Sequence, residues 1–519
     1  MLNRLLFCLL LLSLPGLGSL PVQASHILGG DLTYTYIGTS TSPNAYKVTA
    51  RLYREYTLTP VNFGNEITLS VGLNGCPGAT TGSFTALLQR VSTVTTTPLG
   101  CVGDFSYENI VFEGTVLLPP GQWTMSVNEE NRTGGTRNVV DSGMYGFHLE
   151  AQLNNASGLR NNSPKFTSFT LPYLCGNQSH RYSFSTFEAD GDSLVYQSVP
   201  PQRRTSYVNP CPIPLPYVSY SAGQFQDPAS GQTVTYPART YSAANPLFSF
   251  LVGGGVGTPY FGLNAATGEL VARPILKETG PFVVAVRVDE FRKLNGSWTK
   301  IGSVLRDVVY SVFNGSGNRN PVLSSLSIGS SPAPFPLDLP IDVATGELIS
   351  LNLTATDPDA GQTVRLSSDV ASVIPGASFQ PTGPNQGRLT WSVPTSLPSG
   401  LYSFTVTLAD NGCPLNGTEV RTVIFRVSRI VLGTTPGRQP VVLAAFPVPF
   451  HDRVQFQLAA GFSGPVVVSD ELGRPVARLT SRPDGLVVWQ PDAQVPAGLY
   501  FARSADGRQV ARLLRSDQP

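Results

Sequence analysis

Two stretches with the same order of residue types decide the fold: Gly280-Pro-Phe-Val-Val-Ala-Val-Arg-Val-Asp-Glu290 and Gly400-Leu-Tyr-Ser-Phe-Thr-Val-Thr-Leu-Ala-Asp410. Both are rich in β-branched and aromatic residues, and each is followed by one more stretch typical of a strand, at 304–310 and at 420–425. Such residues favour extended strands that pack against a core. Each stretch therefore predicts a long strand near the end of an all-β domain.

These strands belong to a diverged internal repeat. The first block contains Glu188-Ala-Asp-Gly-Asp-Ser-Leu194 and then Gly268-Glu-Leu270, and the second contains Thr356-Asp-Pro-Asp-Ala-Gly361 and then Gly387-Arg-Leu389. A shared order of an acidic turn, a short Gly-x-Leu motif and a long strand indicates two copies of one structural unit. We place the blocks at 156–318 and 319–427, with a proline-rich insertion at 200–246 in the first.

The composition favours strands joined by turns. The 519 residues include 51 glycines and 44 prolines, which would interrupt long helices, and the apolar fraction of 41% is too high for a disordered chain. With 35 basic and 34 acidic side chains, the protein has almost no net charge. This balance argues against nucleic acid or an anionic membrane as a partner. The length predicts several domains.

The N-terminus has the pattern of a secretory signal peptide. Arg4 precedes an apolar run over residues 5–14, and Val22-Gln23-Ala24 provides a small-residue cleavage site. We therefore expect residues 1–24 to be removed before Ser25. No later apolar stretch approaches the ~18 residues of a membrane helix, so we expect no transmembrane segment in the mature chain. Alternating apolar and polar residues predict a first β domain at 25–155.

The end of the chain, 441–519, follows a linker predicted at 428–440 and has four ordered motifs. They are Phe446-Pro-Val-Pro-Phe450, Asp470-Glu-Leu-Gly-Arg-Pro-Val476, Val495-Pro-Ala-Gly-Leu-Tyr-Phe-Ala-Arg503 and a basic finish. This order resembles the C-terminal sorting domain of type IX secretion, a system of Bacteroidetes-type bacteria. The resemblance implies a small β-sandwich that acts as a delivery address, with the type IX machinery as its partner.

Two further resemblances concern the rest of the chain. The run His26-Ile-Leu-Gly-Gly-Asp-Leu-Thr-Tyr34 is similar to the N-terminal region of large Bacteroidetes surface proteins that are described as adhesin-like or gliding-associated. The order of motifs in the two blocks resembles cadherin-like and immunoglobulin-like sandwiches. Together they imply tandem β-sandwiches in a non-enzymatic, secreted or surface-attached, adhesin-like protein. Surface glycans or proteins are the partners that such a role implies.

The acidic turns are the candidate metal sites, because calcium takes six to eight oxygen ligands. We expect three aspartates to converge at one end of each sandwich. The candidate ligands are Asp190, Asp192 and Asp289 in the first block, and Asp357, Asp359 and Asp410 in the second. The alternative is that Asp-Gly-Asp and Asp-Pro-Asp only form turns.

Cysteines and tyrosines supply the remaining candidates. In an oxidising compartment, sequence neighbours predict the disulfides Cys76–Cys101 and Cys175–Cys211, with Cys413 left over. The insertion carries Tyr207, Tyr217 and Tyr220, which would bind sugars or a protein if they are exposed. The alternative is that they cover an open sheet edge.

Known catalytic motifs are missing from the sequence. It has only four histidines and no GxSxG elbow, HExxH helix or P-loop. We therefore expect no enzymatic activity. The alternative function is a secreted carbohydrate-active hydrolase or a carbohydrate-binding accessory protein, because paired carboxylates need only be close in space.

Overall fold

The computed structural model describes most of the chain after residue 25. The described residues are 26–56, 64–79, 81–97, 106–130, 132–204, 211–331, 333–429, 441–458, 464–470, 473–504 and 509–516. The predicted signal peptide and most of the predicted linker lie outside them. The chain divides into two compact units, Met1–Arg429 and Ile430–Pro519. The division falls inside the stretch that composition marks as a linker.

Strands make up nearly all of the regular structure. The strands up to residue 154 are β1 (Ile27–Tyr36), β2 (Ala45–Glu55), β3 (Glu66–Leu73), β4 (Phe84–Thr96), β5 (Tyr107–Leu117), β6 (Gln122–Glu129) and β7 (Phe147–Asn154). They are followed by β8 (Lys165–Phe166), β9 (Tyr173–Cys175), β10 (His180–Ser183), β11 (Thr186–Phe187), β12 (Ser193–Val199), β13 (Gln202–Arg204), β14 (Pro212–Pro214), β15 (Ser219–Tyr220), β16 (Gly223–Gln226), β17 (Thr233–Tyr236), β18 (Arg239–Thr240), β19 (Phe250–Gly253), β20 (Val256–Pro259), β21 (Phe261–Leu263), β22 (Glu269–Ala272), β23 (Gly280–Leu294) and β24 (Ser297–Phe313).

The second block and the C-terminal unit continue in the same way. The second block has β25 (Val322–Ile328), β26 (Ile341–Ala344), β27 (Leu348–Thr356), β28 (Val364–Ser367), β29 (Ala377–Gly383), β30 (Gln386–Ser392), β31 (Gly400–Asp410) and β32 (Thr418–Ser428). The C-terminal unit has β33 (Val441–Leu443), β34 (Ala445–Phe446), β35 (Val454–Gln457), β36 (Pro465–Asp470), β37 (Pro475–Thr480), β38 (Leu486–Trp489), β39 (Gly498–Ser504) and β40 (Gln509–Arg515). A 3-10 turn at Ser142–Met144 and the short helix α1 (Val370–Val373) are the described helical elements.

The long strand β24 joins the first predicted domain to the first block. Successive strands pair in the order β1-β2-β5-β4-β3-β6-β7-β24, and β24 pairs again with β1, so the path of pairings closes on itself. Along one edge of β24, Gly302 lies opposite Leu153 of β7, and Asp307 lies opposite Gly30 of β1. The other edge pairs with β23 over its full length. From Ile301 to Val312 every residue of β24 is buried.

The predicted segments 25–155 and 156–318 therefore share one sheet. They also share one hydrophobic core, which runs from Ile27 in β1 to Val312 in β24. Residue 155 marks a change of connection and not the edge of a sheet. Alternation within each strand could not indicate this, because pairing between β1 and β24 joins residues far apart in the chain.

The second block is a β-sandwich with its own core. One sheet has the order β25-β27-β30-β29 and the other β26-β32-β31-β28. Lettered in chain order as A, A′ and then B to G, these sheets are A-B-E-D and A′-G-F-C, the immunoglobulin-like arrangement. Trp391 lies fully buried at the centre, with ring contacts to Phe404 and Phe425. The hydroxyl of Tyr402, near the start of β31, donates to the carbonyl of Pro398 at 2.8 Å, which is a tyrosine corner.

The C-terminal unit packs two sheets around a small core. One sheet has the order β33-β40-β39-β36-β37 and the other β34-β35-β38. Trp489 contacts Phe450 and Tyr500 between them. Tyr500 donates its hydroxyl to the carbonyl of Pro496 at 2.6 Å, which repeats the corner of the second block. The all-β class and the sandwich architecture predicted from the sequence are confirmed.

The predicted disulfide pairing is wrong. Cys76, in the loop after β3, bonds to Cys211, which lies 135 residues later in the insertion. The insertion folds back over the first sheet, where Arg203 of β13 stacks on Tyr145, and this brings the two cysteines together. Cys175 is a buried free thiol in β9. Cys101 lies outside the described residues, and Cys413 is disulfide-bonded. Neighbours in sequence misled the prediction because loop length does not determine which cysteines meet.

Candidate functional site

The first acidic turn gathers three carboxylates. We call the set Glu188, Asp190, Asp192, Glu290 and Arg292 the first pole. The carboxylates of Glu188, Asp190 and Asp192 lie within 4.8 Å of one another, between β11 and β12. The turn forms because Gly191 adopts a positive φ of 83° and because Glu188 accepts the backbone N–H groups of Asp190 and Asp192, at 2.7 and 2.6 Å.

A guanidinium group from β23 faces these carboxylates. Arg292 donates from Nε and Nη2 to the two oxygens of Asp192, at 2.6 and 2.5 Å, and from Nη2 to Asp190 at 3.3 Å. This bidentate geometry is the strongest form of an arginine–carboxylate pair. Burial alone would lower the pKa of Arg292, but the hydrogen bonds and charges of Asp192 and Asp190 raise it overall. The chain itself therefore supplies a cation to this pole.

Glu290 is the remaining carboxylate of the first pole. It is fully buried, and its Oε2 atom accepts a hydrogen bond from Asn161 at 2.6 Å, while Oε1 has no hydrogen-bond partner among the described residues. Burial, together with the charges of Glu188 and Asp192, raises the pKa of Glu290 well above its usual value. Burial likewise raises the pKa of Glu188 to about 8.

Asp289, which the sequence placed in this group, is engaged elsewhere. Its carboxylate pairs with Arg287 at 2.9 Å and with Lys300 at 2.7 Å. Successive side chains of a strand point to opposite faces, so Glu290, and not Asp289, points towards the acidic turn. The signal was present in the alternation of β23, but Arg292 could not be recognised as a partner from sequence spacing.

The second acidic turn has a different arrangement. We call the set Asp357, Asp359, Gln362, Asp410 and Asn416 the second pole. Asp410 is buried at the end of β31, where it accepts N–H groups from Gly412 at 2.8 Å and from Gly417 at 2.9 Å. The side-chain amide of Asn318 also donates to it, at 3.1 Å. Burial raises the pKa of Asp410, and the charge of Asp357 adds to this. The structure therefore brings Asp357 near Asp410.

Asp359 is turned outwards by an arginine. Its carboxylate accepts the backbone N–H and the Nε–H of Arg319, both at 2.8 Å, and Arg319 is largely exposed. The remaining carboxylate, Asp357, accepts the backbone N–H of Asp359 at 2.8 Å and no other hydrogen bond from the described residues. Burial raises the pKa of Asp357. No described arginine or lysine forms an ion pair with Asp357 or Asp410.

Several buried oxygen atoms at the second pole have no hydrogen-bond partner among the described residues. They are Oδ2 of Asp357, Oε1 of Gln362 and Oδ1 of Asn416. Asn416 donates to the carbonyl of Asp410 at 2.8 Å, and Gln362 donates at 2.8 Å to Asn318, which in turn donates to the Asp410 carboxylate. A buried oxygen without a donor is costly. Carboxylate and amide oxygens are ligands that calcium prefers. Among the described residues, however, only Glu188, Asp190 and Asp192 bring three carboxylates within 4.8 Å of one another, so the three aspartates predicted to converge in the second block do not form such a cluster.

The tyrosines of the insertion pack inwards. Tyr220 contacts the rings of Tyr241 and Phe248, with centroids 5.0 and 5.2 Å apart. Tyr217 packs against the buried side chains of Val139 and Leu215. Tyr207 lies outside the described residues. Tyr217 and Tyr220 are therefore partly engaged in contacts within the protein.

Comparisons with known proteins identify no family for this chain. No protein-family model and no curated protein matches the sequence. Among solved structures, it is similar to one described as the basis of Dscam isoform specificity (11% identity, 95% of this chain and 100% of that chain, TM-score 0.17) and to extracellular domains 3–5 of Drosophila OTK (9%, 68% and 98%, 0.15). The I9–I11 tandem from titin gives 8%, 69%, 97% and 0.12. TM-scores of this size leave the fold to rest on the strand pairing described above.

Membrane insertion through helices has no basis in the described residues. None of their helices has the length and the apolar character needed to cross a bilayer.

Proposed function

We propose that this protein is a non-enzymatic, adhesin-like β-domain protein that is exported by type IX secretion and is secreted or attached to the cell surface. The observation that carries the proposal is the separate C-terminal unit. It has a core of its own, built around Trp489 and Tyr500, and its strands contain the four ordered motifs that resemble a sorting domain.

The motifs occupy structural positions in that unit. Phe450 of the first motif is buried, and Asp470 of the second pairs with Arg474 across the turn between β36 and β37, at 2.7 Å. The third motif forms the tyrosine corner and β39. A self-contained unit of this kind suits a domain that machinery recognises apart from its cargo.

Export supplies the test of this proposal. Deletion of residues 446–519 is expected to leave the remaining chain in the periplasm of a type IX-competent host. Fusion of residues 441–519 to a periplasmic reporter is the matched experiment, and the reporter should then reach the outside of the cell. Normal export of the truncated chain would contradict the proposal, as would retention of the fusion.

Calcium binding at the second pole is a further part of the proposal. Oxygens of Asp357, Gln362 and Asn416 that have no hydrogen-bond partner among the described residues support it, because each could act as a ligand to a cation. At the first pole the guanidinium of Arg292 already forms ion pairs with Asp192 and Asp190. We therefore assign calcium to the second pole alone, where it would stiffen the end of the sandwich. The aspartates of the first pole then serve as turn formers and ion-pair partners.

A further inference from the structure

A polar groove lies on the outer face of the first sheet. It has a volume of about 340 Å³ and lies where β6, β7 and the start of β24 run side by side. Its lining includes amide and hydroxyl residues and also apolar ones, namely Asn74, Gln122, Thr124, Gln152 and Asn154 with Trp123, Leu153 and Ile301. The volume is at the lower end of the range of ligand sites.

The floor of this groove is held in place by the fold. Gln122 lies opposite Asn154, and Thr124 lies opposite Gln152, in the antiparallel pair of β6 and β7. Paired residues point to the same face of a sheet, so these four side chains form a regular array. Trp123 is fixed beneath them by a hydrogen bond from its indole N–H to the carbonyl of Pro119 at 2.7 Å. The array therefore needs little reordering to receive a ligand.

The chemistry of the lining restricts the ligand. Lys300 is the charged residue of the groove, and its ammonium group is already paired with Asp289 at 2.7 Å. The side chains of Asn74, Gln122 and Thr124 make no hydrogen bond to the described protein. Each free amide offers two N–H donors and an acceptor oxygen, and the hydroxyl of Thr124 offers one donor and an acceptor. Such a surface suits a neutral ligand with many hydroxyl groups.

An exposed tryptophan stands beside the groove. Trp298 has 63% of its surface exposed, and it precedes Lys300 by two positions on β24, so both side chains point to the same face about 7 Å apart. An exposed indole offers a flat apolar face on which a ligand can stack. The flat face of a sugar ring is apolar on its C–H side and would cover the indole.

We infer that this groove, with Trp298 at its rim, binds a neutral oligosaccharide. The inference rests on the proposed surface function and names the ligand class that an adhesin-like protein would hold. One sugar ring stacks on Trp298, and the hydroxyl groups of the next bond to the amides of Gln122 and Asn74. It assigns the contact to a site that is distant in sequence from the tyrosines of the insertion.

Calorimetric titration of the mature chain tests the assignment. The probes are cellopentaose, laminaripentaose, xylopentaose, mannopentaose and chitopentaose. At least one is expected to bind, and Trp298→Ala should weaken that binding about tenfold or more. The double variant Gln122→Ala, Thr124→Ala should also weaken it. Leu348→Ala, at a side chain of 73% exposure in the second block, is the matched control and should bind as the unaltered chain does.

Two results would overturn the inference that this groove binds an oligosaccharide. One is that none of the five oligosaccharides binds, and the other is that both sets of variants bind as tightly as the unaltered chain while their thermal unfolding is unchanged. The export experiment is independent of this one. A chain that needs its C-terminal unit for export but binds no oligosaccharide would contradict the groove and leave the proposed function standing.

Discussion

The two acidic poles grow from corresponding motifs and neutralise their charge differently. In the first block, Arg292 reaches from β23 to the turn and forms a bidentate pair with Asp192. In the second block, the strand that corresponds to β23 ends at Asp410, and the carboxylate of Asp357 keeps an unpartnered oxygen. An acidic turn at the end of a sandwich is therefore not by itself a metal site. What matters is whether the chain supplies the cation.

Replacing Arg292 tests whether the first pole depends on this guanidinium group. Arg292→Met should destabilise the chain by about 3–5 kcal/mol at neutral pH, because it leaves the partly buried carboxylates of Asp190 and Asp192 without a partner. Chemical denaturation measures the effect. Arg287→Met is the matched control, since Asp289 keeps Lys300 and the cost should stay below about 1 kcal/mol. Equal effects of both variants would mean that Arg292 carries no special role.

Calcium should stabilise the folded chain through the second pole and not through the first. Thermal unfolding in millimolar calcium should show a higher melting temperature than in chelator, because an ion bound only to the folded chain stabilises it by about 2.7 kcal/mol at a hundredfold excess over Kd. Asp357→Asn should abolish the difference, whereas Asp192→Asn should preserve it. If the melting temperatures agree in both buffers, the second pole holds no calcium and its aspartates only form the turn.

Features that depend on neighbouring residues could be predicted from the sequence, whereas features that depend on contacts between distant segments could not. The repeat, the strands and the acidic turns follow from local patterns, and they were found. Glu290 was missed in favour of its neighbour Asp289, although alternation along β23 held the answer. Arg292 and the disulfide Cys76–Cys211 could not be found, because both depend on which distant segments meet.

The shared sheet shows the same limit at the level of domains. A boundary at residue 155 follows from the change in motif, yet β24 pairs with β7 and β1 on one edge. A strand carries no local mark of its partner beyond its apolar faces. β24 is buried on both faces, but residues 304–310 include Arg306 and Asp307, so neither its burial nor its partners followed from an apolar pattern.

The pH dependence of stability should also separate the two blocks. The pKa of Glu188 is about 8 in the folded chain and that of Glu290 is raised, against an ordinary value of 4.5. The folded state therefore binds protons that the unfolded state releases, so this contribution is complete below pH 4.5 and is lost as pH rises through about 8. Glu290→Gln should make the loss of stability between pH 5 and pH 8 smaller.

Denaturation at a series of pH values provides that measurement. Glu66→Gln, at an exposed position of β3, is the control and should leave the pH profile unchanged. A profile that is the same in Glu290→Gln and in the unaltered chain would mean that Glu290 is ionised throughout, with Arg292 balancing it.

The smallest expected effect concerns the start of the long strands. Tyr402 of the second block and Tyr500 of the C-terminal unit each donate to a proline carbonyl four residues earlier, but Phe282 stands at the corresponding place in the first block and has no hydroxyl. Tyr402→Phe should cost about 1 kcal/mol, the net value of one hydrogen bond. Because Phe282 is already buried beside the shared sheet, the first block does without this corner. If Tyr402→Phe leaves the denaturation midpoint unchanged, the corner only orients the chain, and the two blocks do not differ at this position in stability.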